Sequence, residues 1–237
     1  MKKSIILTTN IILILLTLIL GELYNAIGGL AIKGTASFFF VLTGAANVFF
    51  AYKSNFFNKK FCIIMLIGLI FAMLGDIILN IEFIIGALLF AICHIFYFFS
   101  YCKIVPFKLK DLIFGALIFI PSALFILFAP FFNFDEAIMM IVCLVYALII
   151  SLMVGKTISN LITQKSLLNI VLVIGSILFF ISDLMLLLNV FGGLPEITDI
   201  LCLATYYPAQ CFLAFSILVS SNIFKHNSNQ KEGLNKE

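Results

Sequence analysis

The chain has 237 residues, 64% of them apolar and 11% charged, with a mean hydropathy of +1.25, which excludes an ordinary soluble globular domain. Its net charge of +3 rests on fourteen lysines and no arginine. Those lysines lie between apolar stretches, so the charge reports membrane topology and gives no sign of a nucleic-acid partner.

A membrane span needs about 20 mostly apolar residues. Eight stretches come near that length between charged or Gly/Pro-containing breaks. They run from about Ile5 to Leu20, Thr35 to Ala51, Phe61 to Leu79, Phe83 to Tyr101, Leu112 to Phe131, Ala137 to Gly155, Leu167 to Val190 and Ile197 to Val219. Barrel strands alternate apolar and polar residues over about 10 positions, whereas these stretches are continuously apolar. The expected fold is therefore all-α, a polytopic membrane bundle of about eight helices. The start, Met1 to Leu20, resembles a secretory signal, but no A-x-A cleavage site follows it before Glu22, so it reads as an uncleaved first helix. Residues 1–224 are expected to form one transmembrane bundle and residues 225–237 a polar cytoplasmic tail. The loops are only a few residues long, so any chemistry must occur within the bundle or at its rim.

Lysines are retained on the cytoplasmic side of a membrane. Lys2 and Lys3, then Lys53, Lys59 and Lys60, then Lys103, Lys108 and Lys110, then Lys156 and Lys165, and finally Lys225, Lys231 and Lys236 fall on one side of an eight-span arrangement. Lys33 falls on the other. The opposite loops carry Glu22, Glu82, Asp135, Glu136, Glu196 and Asp199. Both termini are therefore expected in the cytoplasm, in a multi-pass protein of the cell membrane. Lysine without arginine, with much Ile, Phe and Asn, suggests an AT-rich bacterial genome and hence a bacterial inner membrane.

A charged side chain at the bilayer centre costs at least about 2.5 to 3.5 kcal/mol, so such residues usually face the protein interior or water. Two carboxylates stand well inside spans. Asp76 lies about one turn from the outer end of the third, with Asn80 a turn further on the same face. Asp183 lies about two turns from the outer end of the seventh. Either could simply bond a neighbouring helix. Two at comparable depth could instead supply an acid beside a base, because burial and mutual repulsion favour a proton on one member. In the fourth span His94 shares a helical face with Tyr97 and Tyr101, and could orient a carboxylate, shuttle a proton or bond across helices. In the eighth, Tyr206 and Gln210 lie one turn apart, with Tyr207 and Pro208 between them. The proline would free a backbone carbonyl, as in discontinuous helices that line cavities. Thr43 and Asn47 make a similar polar pair in the second span. Lys33, at the outer entry of that span, could meet a lipid phosphate or merely snorkel.

The third and fourth spans carry a carboxylate followed by His and Tyr; the seventh and eighth carry a carboxylate followed by two Tyr and a Gln. An offset of four helices is what a parallel duplication would give. The six cysteines show no metal or redox spacing and read as small packing residues. Catalytic zinc is disfavoured, since His94 is the one histidine within a span and His226 lies in the tail. No G-x-S-x-G motif is present.

Gly75-Asp76, the run through Gly86 and Phe90 to His94 and Tyr97, the Phe179 to Asp183 run ending Ser-Asp, and Tyr206-Tyr207 with Ala209-Gln210 together resemble the YhhN family, which includes the lysoplasmalogenases. The likeness covers about Lys33 to Leu218. The family has Lys-Pro where this chain has Lys33-Gly34, and Pro208 is a further departure. The resemblance implies hydrolysis of the vinyl-ether bond of a lysoplasmalogen to a fatty aldehyde and glycerophosphocholine or glycerophosphoethanolamine. No cofactor is expected and no metal site is assigned, while metal participation stays open. Asp76 and Asp183 would share the acid and base roles, supported by His94, Tyr97, Tyr206, Gln210, Asn80 and Lys33. The partners would be a lysophospholipid substrate and the surrounding membrane lipid. From the residues alone two rivals stay open: a proton-coupled transporter using the same carboxylates, and a non-catalytic lipid-binding or assembly subunit.

Overall fold

The computed structural model describes residues 3–53, 58–134 and 137–221. Its helices are α1 (Lys3–Ile27), α2 (Leu30–Lys53), α3 (Lys59–Ile78), α4 (Phe83–Tyr101), α5 (Leu109–Phe128), α6 (Ala137–Thr163), α7 (Leu167–Phe191) and α8 (Pro195–Val219). There is no strand among the described residues. All eight helices are long and apolar enough to cross a membrane. The expected tail, Asp135, Glu136, His226 and the lysines at positions 2, 225, 231 and 236 lie outside the described residues.

Local signals set the helix ends. Asn58 caps α3 by accepting the Phe61 N–H at 3.1 Å, and Ser166 caps α7 by accepting the Asn169 N–H at 3.3 Å. Gly28 and Gly29, at φ +70° and +101°, turn the chain between α1 and α2 within two residues. Short connections make neighbouring helices antiparallel, so the loops alternate between two ends of the bundle. At the end where α1 starts, the near end, Asn58 Nδ2 donates to the Lys103 carbonyl at 2.6 Å. At the far end, the Asn133 N–H donates to the Phe191 carbonyl at 3.0 Å.

The hairpins α3/α4, α5/α6 and α7/α8 form the most extensive helix contacts, and α8 also packs on α1, α2 and α3. The core runs through Phe40, Met65, Leu69, Tyr97, Phe179 and Leu213. Large apolar side chains such as Ile19, Phe99, Leu117 and Phe128 point outward, as lipid contact allows. Lipid tails are as apolar as leucine, so close helix approach depends on small residues. Gly115 of α5 and Gly155 of α6 bring two backbones together in this way.

Two expectations are corrected. α6 continues two turns past Gly155, and Lys156 is no loop lysine: it is 0% exposed and lies 2.7 Å from Asp111 of α5. Hydropathy cannot distinguish a lysine entering water from one entering a buried ion pair. α8 runs unbroken through Pro208, so there is no discontinuous helix there.

Candidate functional site

Asp183 stands two turns before the far end of α7. Its Oδ2 lies 3.0 Å from His94 Nε2 of α4 and accepts the Tyr146 hydroxyl of α6 at 2.7 Å. His94 Nε2 and the Tyr146 hydroxyl are themselves 2.9 Å apart, closing a triangle of three heteroatoms from three helices. The imidazole is fully buried, packed edge to face with Phe179 at 4.5 Å between ring centres, and its Nδ1 has no partner among the described residues. Asp183 and Tyr146 also line a pocket of about 90 Å³ between α4, α5, α6 and α7. The remaining lining is almost wholly apolar, with Phe83, Phe125 and Phe191 towards the far end and Phe90 and Phe180 deeper. The Asp183 Oδ1 takes no hydrogen bond from the described residues.

Asp76, in the last turn of α3, is wired differently. Lys33 Nζ of α2 lies 3.1 Å from its Oδ1, and the Ser37 hydroxyl, one turn along α2, donates to its Oδ2. The Tyr207 hydroxyl donates to the same oxygen at 3.4 Å. Lys33 is 5% exposed and also lies over the Tyr24 ring at 5.3 Å. It is therefore the buried counter-ion of Asp76, neither snorkelling nor positioned on a lipid phosphate. Asn80 supports the same corner by donating to the Asp76 carbonyl at 3.2 Å and accepting from the Tyr24 hydroxyl at 3.4 Å. Asp76 does not line the pocket.

Phe90, Phe179 and Tyr206, packed edge to face with ring centres 5.5 to 5.9 Å apart, lie between the two carboxylate clusters. On one side His94 abuts Phe179; on the other Tyr206 abuts Tyr207 at 5.1 Å. The Tyr206 hydroxyl reaches the Ala72 carbonyl at 3.3 Å, not a carboxylate. Tyr97 donates to Gln210 Oε1 at 2.9 Å, which ties α4 to α8. The hairpins thus exchange polar groups: α4 supplies the histidine for the α7 carboxylate, and α8 the phenol for the α3 carboxylate. Among the other residues considered, Asn47 bonds Asn10 at 2.8 Å and the Ala214 carbonyl at 3.0 Å, while Thr43 bonds its own helix. Asn47 thus ties α2 to α1 and α8, and neither residue lines the pocket. Tyr101 bonds Ser176 at 2.9 Å, also elsewhere.

A third carboxylate, this one buried, escapes the sequence reading. Asp111 accepts from Lys156 Nζ, from the Ser159 hydroxyl and from the Lys108 N–H at 2.8 Å, while Lys156 also donates to the Pro106 carbonyl at 3.2 Å. These bonds pin the near end of α5 to α6. Sequence reasoning missed Tyr146 as well, because a tyrosine in an apolar run looks like core. Ser37 carried a signal, since it lies four residues after Lys33 on the same helical face. Among the described residues no three His, Cys, Asp or Glu side chains converge as metal ligands.

These observations define a class: an all-helical, membrane-type bundle with buried charges and an apolar pocket that ends on a carboxylate. The YhhN family model matches residues 30–217, from the first turn of α2 into α8, and the chain belongs to the YhhN family. No curated protein and no solved structure matches it.

Proposed function

We propose that this protein hydrolyses the vinyl-ether bond of lysoplasmalogens within the membrane. Membership of the YhhN family makes a lysoplasmalogenase-like hydrolase the leading reading. The observation that carries it is Asp183, with one carboxyl oxygen bound by His94 and Tyr146 and the carboxyl group on the wall of an apolar pocket. A single hydrocarbon chain suits such walls, and the reaction requires a group that first gives a proton and then takes one back.

Protonated Asp183 donates to the outer alkenyl carbon, and positive charge develops across the ether carbon and oxygen. Water adds at the ether carbon and returns a proton to Asp183. The resulting hemiacetal collapses to a fatty aldehyde and the free glyceryl hydroxyl, so one water is consumed and no cofactor is required. Glycosidases divide such work between two carboxyl groups flanking one bond. Here Asp76 has its own cation and lies behind the aromatic wall, so we assign the proton transfers to Asp183 and give Asp76 the task of fixing α2, α3 and α8.

The test is aldehyde release from 1-alkenyl lysophosphocholine and lysophosphoethanolamine by purified protein in detergent. Asp183→Asn should abolish release, whereas folded Asp76→Asn should retain part of it. Loss in both variants with the fold intact would restore the two-carboxylate mechanism; no release by folded wild type on either head group would overturn the function. A second reading, a proton-coupled transporter, draws on the presence of buried cation and carboxylate pairs in both halves of the bundle: Lys156 with Asp111 and Lys33 with Asp76. It predicts gradient-dependent uptake in sealed vesicles and no aldehyde in detergent.

A further inference from the structure

We infer that Tyr146 is a positioning residue of the Asp183 site, and that with His94, held neutral with its proton on Nε2, it leaves Asp183 Oδ1 as the one carboxyl oxygen offered to the pocket. The part of this inference that concerns turnover rests on the hydrolase reading; the part that concerns proton placement does not.

The proton count follows from three distances. His94 Nε2 and Asp183 Oδ2 are 3.0 Å apart, so one of them must carry a proton between them; otherwise two lone pairs would face each other. If that proton sat on Asp183 Oδ2, or if the imidazole were doubly protonated, His94 Nδ1 would bear an N–H. Nδ1 is buried and has no acceptor among the described residues. Orphaned buried N–H groups are rarer and costlier than an unfilled lone pair. The arrangement without an orphan donor has Nε2–H shared between Asp183 Oδ2 and the Tyr146 oxygen, which lies 2.9 Å away, and the Tyr146 O–H directed at Oδ2 at 2.7 Å.

Two protons then serve three heteroatoms, and both end on Oδ2. Their donors come from α4 and α6, on different helices from Asp183 itself, so together they fix the carboxyl plane about χ2. Among the described residues no donor reaches Oδ1, in a side chain that lines the pocket. A proton carried on Oδ1 is compatible with both donors to Oδ2, so the group can cycle between acid and carboxylate without rearranging its support. Without the phenol, Oδ2 keeps one donor and the carboxyl group can rotate either oxygen onto His94.

The experiment uses full-length protein labelled with ¹⁵N-histidine in lipid nanodiscs. His226→Gln identifies the second histidine signal. We expect His94 to show a proton on Nε2 and a bare Nδ1. In Tyr146→Phe, which keeps the ring, the Nε2–H signal should move, and kcat for aldehyde release should fall about tenfold with KM changed less than twofold, as loss of one hydrogen bond to a charged group implies. A proton on Nδ1, or an imidazolium, in the wild type would overturn the inference. So would a Tyr146→Phe protein with unshifted His94 signals. Wild type that lacks turnover but shows the expected His94 signals would sink the hydrolase reading and leave the proton placement standing; active protein with the wrong tautomer would do the reverse.

Discussion

Gly155→Ala is the most local test of how α5 is held. A Cβ at Gly155 would lie 2.3 Å from Gly115 N, 2.6 Å from Gly115 Cα and 2.8 Å from Phe114 C. Ordinary contact begins at 3.4 Å, so the helices must part by roughly 1 Å, and because all three atoms are backbone no rotamer change relieves the clash. Overpacking of this kind costs about 1 to 3 kcal/mol, opposed by at most about 1 kcal/mol of helix propensity gained on replacing glycine by alanine. Gly34→Ala is the control, because its Cβ would meet only the Ile77 side chain, at 3.6 Å. Reversible unfolding in mixed detergent micelles, followed by circular dichroism, should show a lower midpoint for Gly155→Ala and an unchanged or higher one for Gly34→Ala. Ser122, Phe125 and Ile126 of α5 line the pocket, so the displaced helix should also weaken substrate affinity. Equal midpoints for the two variants would refute the close α5/α6 crossing.

Lys156→Met strands Asp111 with the Ser159 hydroxyl and the Lys108 N–H, and should cost about 3 to 5 kcal/mol in the same unfolding assay; adding Asp111→Leu should recover most of it, since an apolar pair tolerates burial that a lone charge does not. Lys33→Met should destabilise to a similar degree by leaving Asp76 with only hydroxyl donors, and Asp76→Asn added to it should restore stability. Topology is read by fusions at the C-terminus: a fluorescent protein should fluoresce and a secreted phosphatase should stay inactive, and the opposite pattern would invert the orientation drawn from the lysines.

How much of this could be read from the chain depends on whether a residue is out of place in lipid. Eight apolar runs of span length give eight helices, because backbone groups in a bilayer must bond within their own segment. Asp76, Asp183 and His94 stand out for the same reason. Their partners do not. Lys33 is 43 residues from Asp76 in sequence, and nothing local distinguishes a counter-ion from a lysine that snorkels. Lys156 and Asp111 each sit near the end of an apolar run, where a charge is unremarkable until α5 and α6 are placed side by side. Tyr146 gives no signal at all, since its phenol acquires meaning only when three helices bring it to Asp183.

Three carboxylates within the bundle, Asp76 and Asp111 buried and Asp183 partly exposed, do different things because of how their oxygens are filled. Asp111 holds a lysine, a hydroxyl and a backbone N–H, and Asp76 a lysine and two hydroxyls, spread over both oxygens in each case. A carboxylate with both oxygens and its charge matched is a fastener: removing it loosens helices, and nothing in its surroundings changes by moving a proton. Asp183 has both of its donors on one oxygen and, among the described residues, no lysine paired with it, and it borders a cavity. That asymmetry gives it room to exchange a proton with a guest. A mechanism that also recruits Asp76 must first displace the Phe90, Phe179 and Tyr206 wall and then free an oxygen from Lys33 or from Ser37 and Tyr207. Folded Asp76→Asn protein that still releases aldehyde would show that neither step is needed.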